Sequence, residues 1–169
     1  MSKTQLKKEL AQLDRDQLAQ LILDLYSARK EAKEYFDFFI DPDVPKLYEK
    51  FRADIEKEMT RGKYSNSNAR ISRIRKSIRQ FESFGVGAES VIDLMLYTLG
   101  LSLVVERRKY VSKPFINGMA RLAGDILILA DKRCLFDSTH KLLSQVLDGK
   151  VGSKNFVNFI RRSISWSPL

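Results

Sequence analysis

The sequence predicts an all-α fold, a multi-helix bundle or short solenoid-like array of about eight antiparallel helices. Three observations predict it. Apolar residues recur with helical period over long segments. Only four prolines and eight glycines interrupt 169 residues. No stretch alternates apolar and polar side chains over the length of a strand. The length fits a single all-helical domain over residues 1–169, with residues 1–30 as an N-terminal helical hairpin arm. No fixed repeat period runs through the chain, so a solenoid is a matter of shape and not of sequence signature.

The first helix starts near Ser2 or Thr4 and carries Leu6, Leu10 and Leu13 on one side. Asp14 caps the second, with Gln17 three residues on as its capping-box partner. Leu18, Leu21, Ile22 and Leu25 form its apolar stripe, and the first two helices are expected to pack as an ordinary hairpin. A third helix follows at roughly 29–40 and ends in Tyr35, Phe36, Phe39 and Ile40. Asp41-Pro42-Asp43-Val44-Pro45 is a turn that opens the fourth, since proline is tolerated where the first-turn N–H has no partner anyway. Leu47, Tyr48, Phe51, Ile55 and Met59 form that helix's stripe.

After the polar stretch Gly62 to Asn68, Ser67 is placed to cap a basic helix that runs to Phe84 and stops at Gly85. From about Ala88 to Val105 the pattern changes. Val91, Met95, Leu96, Leu99, Leu101 and Val104 surround the helix axis, and Glu89, Asp93 and Gly100 leave only a narrow polar strip. A helix apolar on nearly all sides is one packed by several neighbours. Ser112-Lys113-Pro114 opens the next helix, with Gly118 and Gly124 inside it. Interior glycines cost roughly 1 kcal/mol each against alanine, so close approach by another helix is expected there. Two shorter helices, about Leu135 to Leu147 and Ser153 to Ile164, complete the chain.

Composition excludes several chemistries. The one cysteine, Cys134, forbids an internal disulfide and is expected to be a buried or inert thiol. The one histidine, His140, cannot build a Cys/His zinc site, so neither metal nor cofactor is expected. Asp137 sits one turn before it and suits a helix N-terminus. Met1 to Lys8 has no apolar core of signal-peptide length. The longest apolar run, Val91 to Val105, falls short of the roughly 20 residues that span a bilayer. The expectation is a soluble, cytoplasmic protein without membrane insertion, whose oligomeric state the sequence leaves open.

Ser2-Lys3 with Leu6-Lys7-Lys8 and Leu10, Gln17-Leu18, Leu21-Ile22-Leu23-Asp24-Leu25-Tyr26, Lys33-Glu34-Tyr35-Phe36 with Phe38, Pro42 and Lys46-Leu47 carry a resemblance. Together with Asp93-Leu94-Met95-Leu96-Tyr97, they resemble an uncharacterised bacterial all-helical family, a domain of unknown function, best over residues 1–50. The resemblance implies an all-α fold and carries no activity, ligand or catalytic residue.

The strongest functional signal is charge. Residues 61–82 hold seven basic residues and one acidic, a net of +6 within a whole-chain charge of +9. Residues 111–169 carry a further +5, whereas residues 1–60 are at −2. Arg70, Arg73, Arg75, Lys76 and Arg79, with Arg61 and Lys63 just upstream, form the candidate binding set. Arg73, Lys76 and Arg79 fall opposite the apolar stripe Ile71, Ile74, Ile78 and Phe81, while Arg70 and Arg75 flank it. A row of guanidinium forks suits carboxylate or phosphate. Arg61-Gly62-Lys63-Tyr64 is not a phosphate loop, because Lys57 stands where its first glycine would be and Tyr64 replaces Ser or Thr.

These features favour a non-catalytic helical interaction module that docks an acidic protein partner through the basic face. Nucleic acid is the alternative partner for the same face, although RNA readers usually add exposed aromatic side chains for stacking. An enzyme with a carboxylate site at Asp93, one helical turn beyond Glu89, is a further alternative. The simpler expectation for Asp93 is a core carboxylate paired with an arginine or lysine.

Overall fold

The computed structural model describes residues 2–61, 69–149 and 151–165. Among them are nine helices and no strand. In chain order they are α1 (Lys3–Leu10), α2 (Arg15–Ala28), α3 (Lys30–Ile40), α4 (Val44–Met59) and α5 (Ile71–Ser83). Then come α6 (Ala88–Arg108), α7 (Lys113–Lys132), α8 (Phe136–Asp148) and α9 (Lys154–Ser165). The all-α class is as the sequence predicts, with one helix more than the expected eight. The chain packs as two compact units, Met1–Asp43 and Val44–Leu169.

The first unit is held by local interactions. Ser2 caps α1 through the Gln5 N–H. Asp14 and Gln17 form both halves of the expected capping box on α2, at 2.8 and 3.1 Å. The helices that pack on each other are α2 and α3. The Tyr26 hydroxyl donates to Asp37 at 2.8 Å, and Lys33 lies over the Tyr26 ring. No residue of α1, α2 or α3 is buried. The stripe leucines expected to fill a hairpin core stay accessible, and Phe39 and Ile40 are 71% and 78% exposed.

The second unit has a continuous apolar core. Leu47, Phe51, Ile55 and Met59 of α4 meet Ile74, Ile78 and Phe81 of α5, as the stripes predict. Phe51 and Phe81 pack at a centroid distance of 5.5 Å, and Phe84 closes on Phe51 at 5.9 Å. Gly85 ends the helix pair's turn in the left-handed conformation, φ +77°. The centre is α6, with ten buried residues and contacts to α4, α5, α7 and α8. That is a bundle around a central helix, since repeat arrays touch only their neighbours.

At 21 residues α6 outruns the apolar stretch by a charged last turn, Glu106 to Arg108. By length and hydropathy it could cross a bilayer, a test that the buried core helix of a globular unit also passes. Here more than half of its most apolar window is buried inside the fold. The glycine expectation holds at Gly118, where a Cβ would lie 2.8 Å from the Ile71 side chain of α5.

Two helices of this unit start on a glutamate supplied by another helix. Glu58 of α4 accepts from the Arg70 N–H at 2.9 Å and from the Nε and Nη2 of the Arg70 guanidinium. Consequently α5 begins at Ile71, later than a Ser67 cap would place it, and Ser67 itself lies outside the described residues. Glu106 of α6 does the same for α9, accepting from the Ser153 N–H at 2.9 Å and its hydroxyl at 2.7 Å. Ser153 in turn accepts from the Phe156 N–H. Each carboxylate satisfies donors that a helix start leaves open and adds negative charge at the positive end of the dipole.

Candidate functional site

The basic helix α5 lies with Ile74, Ile78 and Phe81 in the core, so its cations are sorted by where they leave the helix. Arg70 is bound in a fork to Glu58, and that hydrogen-bonded pair holds the Glu58 carboxyl down at about 2. Arg61 lies 3.9 Å from the same carboxylate, and its carbonyl accepts from Lys109. Arg75 turns towards α7 and pairs with Asp125. Arg70, Arg61 and Arg75 are thus engaged within the fold. Lys63 lies outside the described residues.

Arg73, Lys76 and Arg79 remain exposed, and among the described residues none of them makes an ion pair. They follow one another at i, i+3 and i+6 along the outer side of α5. The aromatic side chains of this segment, Phe81 and Phe84, are buried. Tyr64 and Trp166, the other aromatic candidates near basic residues, lie outside the described residues.

The sequence reading missed Arg121. It lines a recess of about 400 Å³ between α5, α7 and α9, together with Arg75, Asn117, Gly124, Asp125 and Phe159. Gly118, Arg121 and Gly124 are spaced three apart on α7. Small residues flanking a cation at that spacing were the available signal that Arg121 faces neighbouring helices. Arg75 and Asp125 also wall a second recess of about 300 Å³ with Arg79 and Glu82. Arg75 is held below the usual arginine range by partial burial and then by the positive charges of Arg79 and Arg121.

Asp93 is not the core carboxylate expected from its place in an apolar helix. It is exposed, and among the described residues no arginine or lysine pairs with it. The polar strip of α6 faces outward, so Asp93, Tyr97 and Gly100 line an open groove of about 630 Å³ against α8. Partial burial, and then the nearby Glu89, push the Asp93 carboxyl up. Tyr97 beside it donates to Glu56 of α4, and Arg52 stacks over its ring at 4.6 Å.

In the C-terminal third, Arg161 pairs with Asp148 at the edge of an apolar groove of about 700 Å³ between α7, α8 and α9. His140 stacks on Phe136 in that groove at a centroid distance of 5.8 Å. No group of three or more His, Cys, Asp or Glu side chains converges on a metal-sized site among the described residues. Cys134 is exposed, contrary to the expected burial. It occupies the left-handed position that ends α7, φ 57°, where Leu135 N–H returns to the Ala130 carbonyl at 2.8 Å. That position points its side chain away from the helix packing.

Residues 1–149 match the model of a family of unknown function, DUF6155. The chain belongs to that family. No curated protein and no solved structure matches it. Membership in DUF6155 assigns no chemistry to the recesses described above.

Proposed function

We propose that this DUF6155 protein is a non-catalytic interaction module of the bacterial cytoplasm that docks an acidic protein partner through the outer face of α5. The observation that carries the reading is the sorting of cations on that helix. Arg70 and Arg75 are committed to Glu58 and Asp125, whereas Arg73, Lys76 and Arg79 stand exposed and form no ion pair among the described residues. Three solvated cations on a helix anchored by a buried apolar face form a rigid, positively charged edge. Such an edge raises the association rate of an acidic surface and fixes its register.

Nucleic acid is the alternative occupant. The burial of Phe81 and Phe84 favours the protein reading, because no stacking surface on α5 accompanies the cations. A carboxylate chemistry at Asp93 draws support from its place on a groove wall and its raised pKa, but among the described residues the acid that acts on Asp93 is Glu89 alone.

Binding of a polyglutamate peptide and of single-stranded RNA to the full chain, at low and at physiological salt, tests the reading. The expected result is peptide binding that disappears in the Arg73→Glu, Lys76→Glu, Arg79→Glu triple variant. RNA binding stronger than peptide binding, with a log–log salt slope near about −2 for three single-strand phosphates, would replace the acidic partner by nucleic acid. No binding to either probe would remove the face from consideration.

A further inference from the structure

The recess between α5, α7 and α9 carries a second inference, which shares Arg79 with the outer face of α5 but turns on Arg75 and Arg121. Arg75, Arg121 and Asp125 all line it, and Arg121 is near enough for its charge to act on Arg75. Arg79 and Glu82 lie behind the Arg75–Asp125 pair, in the adjoining recess. Arg75 is the more buried member of its pair, its side chain 27% exposed against 48% for Asp125. Arg121 is exposed and forms no ion pair among the described residues.

A comparison inside the same helix shows how unusual the arrangement is. Arg70, which shares the Glu58 carboxylate with Arg61, has its positive form stabilised, chiefly by the hydrogen bond it donates to Glu58. Arg75 also touches a carboxylate, yet its positive form is disfavoured, first by burial and then by Arg79 and Arg121. Asp125 and Glu82 together leave the three arginines Arg75, Arg79 and Arg121 with one positive charge in excess. An excess of cations around one partly buried arginine is an environment that favours an anion.

The recess is open to solvent and has room for more than a bare ion. Its volume of about 400 Å³ exceeds what an inorganic phosphate fills. Gly124, which has no side chain, and Asn117 are also among its lining residues. Two apolar side chains that the fold leaves accessible also line it, Phe159 of α9 at 40% and Ile128 of α7 at 50% exposure.

We propose that this recess binds a small organic phosphate monoester, with Arg75 and Arg121 holding the phosphate and Phe159 with Ile128 covering an apolar or aromatic body. Asp125 accepts from the Nη2 of Arg75 and so fixes the plane of that guanidinium. The remaining N–H groups of Arg75, with the fork of Arg121, are the donors a dianionic phosphate takes. The ring of Phe159 supplies area that a free phosphate cannot use.

Titration of the full chain with phenyl phosphate, inorganic phosphate and phenol, followed by amide and arginine side-chain NMR shifts, tests the proposal. The expected result is saturable binding of phenyl phosphate with shifts at Arg75, Arg121 and Phe159, weaker binding of inorganic phosphate, and none of phenol. Arg121→Gln should weaken phenyl phosphate by about tenfold, the loss of one charge-assisted fork. Arg73→Gln, on the outer face of α5, should leave it unchanged. Phe159→Ala should weaken phenyl phosphate but not inorganic phosphate. Thermal unfolding of each variant shows whether it is folded, and the exposed Arg121 is the safer of the two positions.

Equal affinity for phenyl phosphate and inorganic phosphate would overturn the proposal, as would equal losses from Arg121→Gln and Arg73→Gln. A third overturning result is Arg121-dependent binding to phosphatidic acid vesicles with no binding of phenyl phosphate, which would make the source a lipid headgroup. Failure here leaves the acidic-partner reading standing, because that reading uses Arg73, Lys76 and Arg79 and is measured with a peptide.

Discussion

The first forty-three residues and the remainder of the chain are equally helical, yet they are stabilised by different means. Helices α1 to α3 bury no residue and rely on caps, the Tyr26–Asp37 hydrogen bond and the packing of α2 on α3. Helices α4 to α9 enclose a core in which Phe51, Phe81, Leu99 and Phe115 are almost wholly removed from water. Charge divides the same way. Residues 1–43 hold seven basic and nine acidic residues, so the chain's whole positive excess lies in the second unit. Helical periodicity alone therefore says little about stability. What matters is whether the apolar stripe finds a partner.

The sharpest way to break this comparison is a matched pair of truncations. Phe81→Ala removes a ring buried against Phe51 and Tyr48 and should cost about 3–5 kcal/mol of unfolding free energy in a denaturant titration. Leu21→Ala in α2 removes a side chain that is 46% exposed and should cost less than about 1 kcal/mol. Comparable losses from the two variants would mean that the stripe of α2 is covered in solution.

Most of the fold was legible because helix starts and stops are local. Asp14-x-x-Gln17, Ser112-Lys113-Pro114 and Gly85 each act within a turn of their own residue, and each functions as read. The buried stripes of α4, α5 and α7 also follow from spacing alone. What spacing cannot supply is the partner. The start of α5 depends on Glu58, twelve residues away, and Glu106 reaches Ser153 across forty-seven. Asp93 was read as buried because its neighbours in sequence are apolar, but the strip it belongs to turns to a groove. The basic face was legible as charge. Which cations are engaged, and that Arg121 joins Arg75, depend on the packing of α7 and α9.

A second test concerns the glutamate that starts α5, a kind of contact absent from the three N-terminal helices. The Glu58 carboxyl is depressed from an ordinary value near 4.5 to about 2 by its hydrogen bonds from Arg70. A depressed acid contributes stability that is present above the ordinary value and is lost as pH falls towards the folded one. The second unit should therefore lose stability between about pH 4.5 and 2 in part through this group. Glu58→Gln keeps an acceptor for the Arg70 N–H but removes the charge. It should cost about 2 kcal/mol at neutral pH, discounted because Arg70 is 38% exposed, and should flatten the acid limb. An unchanged acid limb in Glu58→Gln would show that other carboxylates govern acid unfolding.

The smallest effect belongs to the N-terminal unit, where a cap stands in for a core. Asp14 accepts from the Gln17 N–H, and Gln17 returns the bond to the Asp14 N–H. Both bonds lie on the surface, so water competes for them and neither positions a distant element. Asp14→Ala should cost about 1 kcal/mol of α2 stability, the ordinary worth of a cap. Because α2 has no buried residue to hold it once the cap is gone, that loss should surface as amide exchange about fivefold faster through its first turns. The matching substitution in the second unit is Ser153→Ala. There α9 keeps Phe156 and Ile160 in the core and the Ser153 N–H bond to Glu106, so its exchange should rise less. If the two helices responded equally, the cap and not the buried stripe would be setting local stability in both units.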